Sequence, residues 1–139
     1  MEETHLELFH EAYGEDALRQ IPTLTLAHIG DGVYELLARS FVVSQGAVRV
    51  EEAHKKTVAL VAAPAQAKAA EALLPLLDEW EESLFHRGRN VHVHSAPKHC
   101  TPREYAYATG LETLFGGLYL SGQTDRLQVL WSAALEALK

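Results

Sequence analysis

Apolar residues recur at helical spacing along most of this chain. Leu26, Ile29, Val33, Leu36, Leu37 and Phe41 line one face of a long helix that starts at Pro22 or Thr23, runs to about Ser44 and is ended by Gly46. A third helix is expected from about Val50 to Val61. A fourth reads Ala65 to Leu77, with Pro64 at its first position and Pro75 near its end. A fifth covers residues 78–87 behind the cap Asp78. Thr101-Pro102-Arg103-Glu104 forms a capping box with proline at the first helical position, opening a helix to about Leu120. Thr124 is expected to cap the last helix, which ends near Leu138, and a short helix over residues 5–19, interrupted at Gly14, comes first. The irregular region is Gly88 to Cys100. No repeat, linker or convincing strand pair breaks the pattern, so residues 1–139 are expected to form a single all-α domain.

Composition supports this and narrows the setting. Alanine and leucine are abundant and isoleucine is scarce, which favours helices. The single cysteine, Cys100, excludes an internal disulfide and fits a reducing compartment. The acidic start Met1-Glu2-Glu3-Thr4 has neither the basic nor the apolar region of a signal peptide, and no run is long enough for a membrane span. The expected location is the cytoplasm. A net charge of −7 weighs mildly against a nucleic-acid partner, but the charge is segregated. Residues 1–16 hold six acids and no lysine or arginine, whereas residues 86–103 hold Arg87, Arg89, Lys98, Arg103, four histidines and no acid. For a polyanion, such a local basic stretch matters more than the sum.

The candidate chemistry begins with two isolated carboxylates. Asp31 sits between Gly30 and Gly32 in a segment that otherwise reads as buried helix, where glycine costs roughly 1 kcal/mol against alanine. Far downstream, Glu112 is set among small and apolar residues, from Ala108 to Gly117. Two such carboxylates on two helices could meet and hold a divalent metal. The competing reading places Asp31 and Glu35 on the outer face, paired with Arg39. Arg87-Gly88-Arg89-Asn90 suits phosphate and sugar recognition, because the guanidinium fork matches phosphate and glycine allows close approach. It reads equally as an ordinary helix end, with basic residues on the dipole and Gly88 just beyond the last turn. His54-Lys55-Lys56 is a basic helix face or a solvated one balanced by Glu51 and Glu52. His92-Val93-His94 could point two rings one way toward zinc, without an evident third ligand. Cys100, beside His99, is taken as incidental.

Taken in order, Leu26-Ala27-His28-Ile29-Gly30-Asp31-Gly32-Val33-Tyr34-Glu35, His54-Lys55-Lys56, Ala65-Gln66-Ala67, Arg87-Gly88-Arg89-Asn90, Pro97-Lys98 and Tyr107-Ala108-Thr109-Gly110-Leu111-Glu112-Thr113-Leu114-Phe115-Gly116 resemble the Mini-III branch of the ribonuclease III family over about residues 22–135. The resemblance implies a helical endonuclease domain, a homodimer, Mg²⁺ dependence and cleavage of double-stranded RNA, with trimming of ribosomal RNA precursors, particularly the large-subunit RNA, as its role. It also implies the absence of a separate double-stranded-RNA-binding domain, for which this chain has no room. Asp31 and Glu112 would be the catalytic metal ligands. Glu35 could position outer-shell waters. Arg87, Arg89, Asn90, Lys98, Lys55 and Lys56 would contact RNA. Larger relatives carry four carboxylates, and here Ala27 and Thr109 stand at the other two positions. His28 replaces an aromatic residue at the dimer contact, and His99 replaces an asparagine. Two other classes fit parts of the pattern. A non-catalytic RNA-binding or ribosome-associated module would tolerate the two lost acids. A helical hydrolase of small nucleotides would keep paired carboxylates but need no basic loop.

Overall fold

The structure is a computed structural model that describes residues 10–47, 49–91 and 98–139, and within them every regular element is helical. The helices are α1 (Glu15–Gln20), α2 (Thr23–Ser44), α3 (Val50–Val61), α4 (Ala63–Leu73), α5 (Glu79–Arg89), α6 (Pro102–Leu120) and α7 (Thr124–Ala137). A 3₁₀ turn over Leu74–Leu76 follows α4. The all-α expectation holds.

Helix α6 is the hub. It packs against α2, α4, α5 and α7. Its residues show why: Leu111, Leu114, Phe115 and Leu118 are fully buried, and so are Thr113, Gly110, Gly116 and Gly117 on its other faces. A helix buried on nearly all sides needs small residues where its neighbours' backbones come close. A methyl added at Gly30 would collide with the Glu112 carbonyl, and one at Gly116 with the Leu26 carbonyl, so α2 and α6 cross backbone to backbone. On the opposite flank, Gly88 of α5 lies against Thr109 and Thr113, while Gly110 and Gly117 receive Phe85 and Leu84. The aromatic core sits beside the first crossing, with the Tyr34 ring edge-on to both Phe115 and Trp131.

The differences from the sequence reading are local. Gly88 does not end α5. It is a buried helical residue at the α5–α6 crossing, and the helix runs on to Arg89. The αL glycines are Gly46 and Gly122. Pro75 breaks the fourth helix early, because it lacks the N–H that would continue the ladder, so α4 stops at Leu73. Thr124 is the first residue of α7 rather than its cap, which is Gln123 and makes no side-chain capping bond. The expected capping box of Thr101 with Glu104 forms, and the cap Asp78 proves to be half of a second one with Glu81. Gly14 caps α1 at Glu15, and the part of the first expected helix before residue 10 lies outside the described residues.

Candidate active site

The glycine crossing sets the site. Gly30 lets α2 lie directly on the Glu112 backbone, which puts Asp31, the next residue, beside the Glu112 side chain. The two carboxylates come within hydrogen-bonding reach of each other. They open into a cavity of about 520 Å³ walled by the end of α3, the start of α4, His99 and Cys100 before α6, and Tyr105, Ala108 and Thr109 on α6. Asp31 is exposed and Glu112 is half-buried.

Electrostatics marks the pair as incomplete. Burial first, and then the charge of Asp31, push the Glu112 carboxyl up to about 8 from an ordinary 4.5, while the Gln66 amide pulls it back. Burial, and then Glu112, also raise the neighbouring Tyr34 phenol, whose buried hydroxyl has no hydrogen-bond partner. Among the described residues no basic side chain pairs with either carboxylate, and no group of three or more His, Cys, Asp or Glu residues converges on a metal position. The donors present are the two carboxylates, with the amide of Gln66, whose oxygen is buried and unpartnered, in the wall beside them. This all-oxygen set fits a hard divalent cation such as Mg²⁺, which binds through one or two carboxylates and keeps several waters. It would also relieve the repulsion between the two acids.

The remaining candidates separate. Ala27 and Thr109 are both buried, and the Thr109 hydroxyl donates to the Tyr105 carbonyl at 2.9 Å, so neither supplies a metal ligand. Glu35 is tied to Arg39 at 3.1 Å, one turn beyond Asp31. Arg87 is spent on the protein itself. Its guanidinium donates to Thr23 Oγ1 at 2.7 Å and to the carbonyls of Leu18 and Ile21, clamping the α1–α2 turn. That takes it away from a phosphate, while it still lies in the basic last turn of α5, as the helix-end reading had it. Arg89 lies at the end of α5, with Nε donating to Asn90 Oδ1 at 3.2 Å, and Asn90 and Lys98 are exposed. Lys55 is exposed on α3, and Lys56 pairs with Glu52 at 2.9 Å. Arg103 is engaged by Glu71 at 2.7 Å and stacks on Tyr107. His92, His94 and Pro97 lie outside the described residues. Sequence reasoning passed over two residues. Gln66 gave a signal only as part of the Ala65-Gln66-Ala67 match, and Cys100, set aside as incidental, stands in the cavity wall.

The comparisons with known proteins agree with this geometry. Residues 24–123 match the Ribonuclease III domain. A Mini-ribonuclease 3 of Symbiobacterium thermophilum is 44% identical over 116 residues, covering 84% of this chain and 89% of that protein. A second, from Thermoanaerobacter sp., is 36% identical across 93% of this chain and 91% of its own. A Desulfitobacterium hafniense Mini-ribonuclease 3 is 42% identical over 82% of this chain and 71% of its own. The crystal structure of a Fusobacterium nucleatum protein superposes with a TM-score of 0.77 at 27% identity, covering 86% of this chain and 95% of that one. Crossing helices, opposed carboxylates and matched relatives lead to one conclusion: the chain belongs to the ribonuclease III family, in its Mini-ribonuclease 3 branch.

Proposed function

We propose that this protein is a Mg²⁺-dependent endoribonuclease that hydrolyses double-stranded RNA, acting as a homodimer in the maturation of ribosomal RNA precursors, most directly the large-subunit RNA. The observation that carries the reading is the pair Asp31 and Glu112, two carboxylates held together at a backbone crossing without a cation of the protein's own. The name shared by the relatives supports the RNA substrate.

In this reading Asp31 and Glu112 hold the metal. When bound, the ion supplies Lewis-acid polarisation of the scissile phosphate and acidifies an attacking water. The chain contributes position and charge. The α2–α6 crossing fixes both carboxylates on rigid elements, so neither must be ordered when substrate arrives. The cavity beside them has room for a phosphate and its sugar. Arg89, Asn90, Lys98 and Lys55 lie outside the metal pair and contact the backbone of the duplex, which is read by shape, phosphates and 2′-hydroxyls. Lys56 joins them by exchanging Glu52 for a phosphate. Arg87 is left out of this surface, because its donors are used internally. A two-fold dimer would present two such sites to the two strands of one duplex. On α2, Tyr34 is buried in the protomer's own core, so the dimer contact falls to the exposed residues His28, Gly32 and Leu36.

The test is incubation of purified protein with duplex RNA, with and without Mg²⁺, beside Asp31→Asn and Glu112→Gln. Wild-type protein should cut only with the metal, and each variant should lose about 10³-fold or more in turnover, roughly 4 kcal/mol of transition-state stabilisation. Thermal unfolding should show both variants folded. Binding of RNA without any cutting at any metal concentration would leave a non-catalytic module as the reading.

A further inference from the structure

We infer that Gln66 is a positioning residue for Glu112: its side-chain amide, anchored on the end of α3, holds the Glu112 carboxylate in place for the metal. The inference rests on the metal-dependent reading above.

Three features converge. Gln66 is only 3% exposed, in the first turn of α4, yet it lines the cavity that contains Asp31 and Glu112. Its Nε2 donates to the carbonyl of Val61, the last residue of α3, at 2.9 Å. That bond fixes which end of the amide is which, since the oxygen could not face a carbonyl. The same amide lines one cavity with Glu112 and lowers its carboxyl against the rise that burial imposes. An amide has two N–H groups, so one can anchor on α3 while the other serves the carboxylate.

The bland reading is that Gln66 merely ties α3 to α4. It accounts for one N–H. It leaves the second N–H without a role, although the amide lowers the Glu112 carboxyl, and the oxygen is buried with no partner in either case. An unpaired buried acceptor costs stability, and an apolar residue of similar volume would avoid that cost. A polar side chain kept at such a site is explained by what it does for its neighbour. The need is specific here. Ala27 and Thr109 are buried and offer no carboxylate, so the orientation of the two acids present, Asp31 and Glu112, carries the site. Asp31 is exposed, and Glu112 is the acid whose setting the protein can control. Two elements that otherwise have no part in the metal pair, α3 and α4, are thereby coupled to it.

The experiment compares wild-type protein with Gln66→Leu and Gln66→Met, which fill the space without an amide, and with Glu112→Gln as the baseline for a lost site. Thermal unfolding is recorded first. Mn²⁺ affinity is then measured by calorimetry without RNA, and kcat and KM are measured on duplex RNA. At least one apolar variant should unfold at or near the wild-type temperature, bind Mn²⁺ about tenfold more weakly, and lose about tenfold or more in kcat with KM for RNA unchanged. Excess Mn²⁺ should recover part of that kcat, whereas it should not rescue Glu112→Gln. Wild-type metal affinity and kcat in a folded variant would overturn the inference. So would unfolding of both apolar variants, which would make Gln66 a support of the α3–α4 junction. Failure of wild-type protein to cut duplex RNA would instead remove the reading on which the inference rests, and the two failures are distinguished by that control.

Discussion

Glu81 and Glu112 are both acids drawn out of water, and they are treated in opposite ways. Glu81, 1% exposed, receives everything a buried carboxylate needs. Arg126 donates to both its oxygens, at 2.7 and 2.9 Å, and the Asp78 backbone N–H adds a third bond at 3.0 Å. Arg126 also holds the Leu76 carbonyl, so a single guanidinium joins α7, α5 and the 3₁₀ turn. Glu112 receives a second carboxylate instead, with the Gln66 amide as its partial counterweight. The first arrangement is closed and stabilises a junction. The second is left open, at a cost in stability that a bound cation would remove. That asymmetry, rather than burial, singles out Glu112 as the acid proposed for the site, since by burial alone Glu81 would rank first.

The comparison breaks most visibly at Arg126. Arg126→Ala leaves Glu81 buried without a partner and should cost about 3 kcal/mol, less than a fully buried pair because Arg126 itself is 32% exposed. Denaturant unfolding at pH 7 measures it. Turnover per folded molecule should stay at the wild-type value, because the α2–α6 crossing does not involve this pair. A large loss of kcat in folded Arg126→Ala protein would mean that the two acids are not independent.

A smaller effect sharpens the other side. In metal-free protein burial and the Asp31 charge push the Glu112 carboxyl up to about 8 from its ordinary 4.5, so between those values the folded state holds more protons than the unfolded one. The stability this contributes is present below about pH 4.5 and is lost as pH rises through about 8. Glu112→Gln, which cannot ionise, should therefore flatten this part of the pH dependence. It should also raise the metal-free unfolding temperature at pH 8 by a few degrees, roughly 1–2 kcal/mol after allowance for partial exposure. Mg²⁺ should stabilise wild-type protein at pH 8 and leave the variant unmoved. A lower unfolding temperature for Glu112→Gln at pH 8 would show that the wild-type carboxylate is not under strain.

Much of this was legible in the residue pattern, and what was not has identifiable causes. The long helix, the Thr101 capping box, the Asp78 cap and the pairing of Asp31 with Glu112 follow from periodicity, local hydrogen-bonding chemistry and two acids in apolar settings. Gly30, read only as a glycine costly to a helix, is where the α6 backbone comes against α2. Gly88 misled because a glycine after basic residues looks the same whether it ends a helix or admits a neighbouring one, and only the packing partner decides. Arg87 misled likewise, since its acceptors, the Leu18 and Ile21 carbonyls, are more than sixty residues away in sequence. Gln66 was silent for the same reason. An amide in an alanine-rich helix acquires a role only when the fold brings it to Glu112.

The smallest effect tests the two glycines around Asp31 against each other. A methyl at Gly30 has no space, so Gly30→Ala would disrupt the crossing itself. At Gly32 a methyl meets nothing within the protomer. In an isolated chain Gly32→Ala should therefore stabilise α2 by about 0.5–1 kcal/mol, the helical preference of alanine. In the proposed homodimer the outcome differs. Gly32 is exposed, close to His28 and to Leu36, which is 65% exposed, on the part of α2 assigned to the partner contact. There the added methyl should press on the second copy, weakening the dimer severalfold in sedimentation while each protomer unfolds at a slightly higher temperature on dilution. A stabilised protein with an unchanged dimer dissociation constant would take Gly32 out of the contact and leave its second glycine without a packing reason.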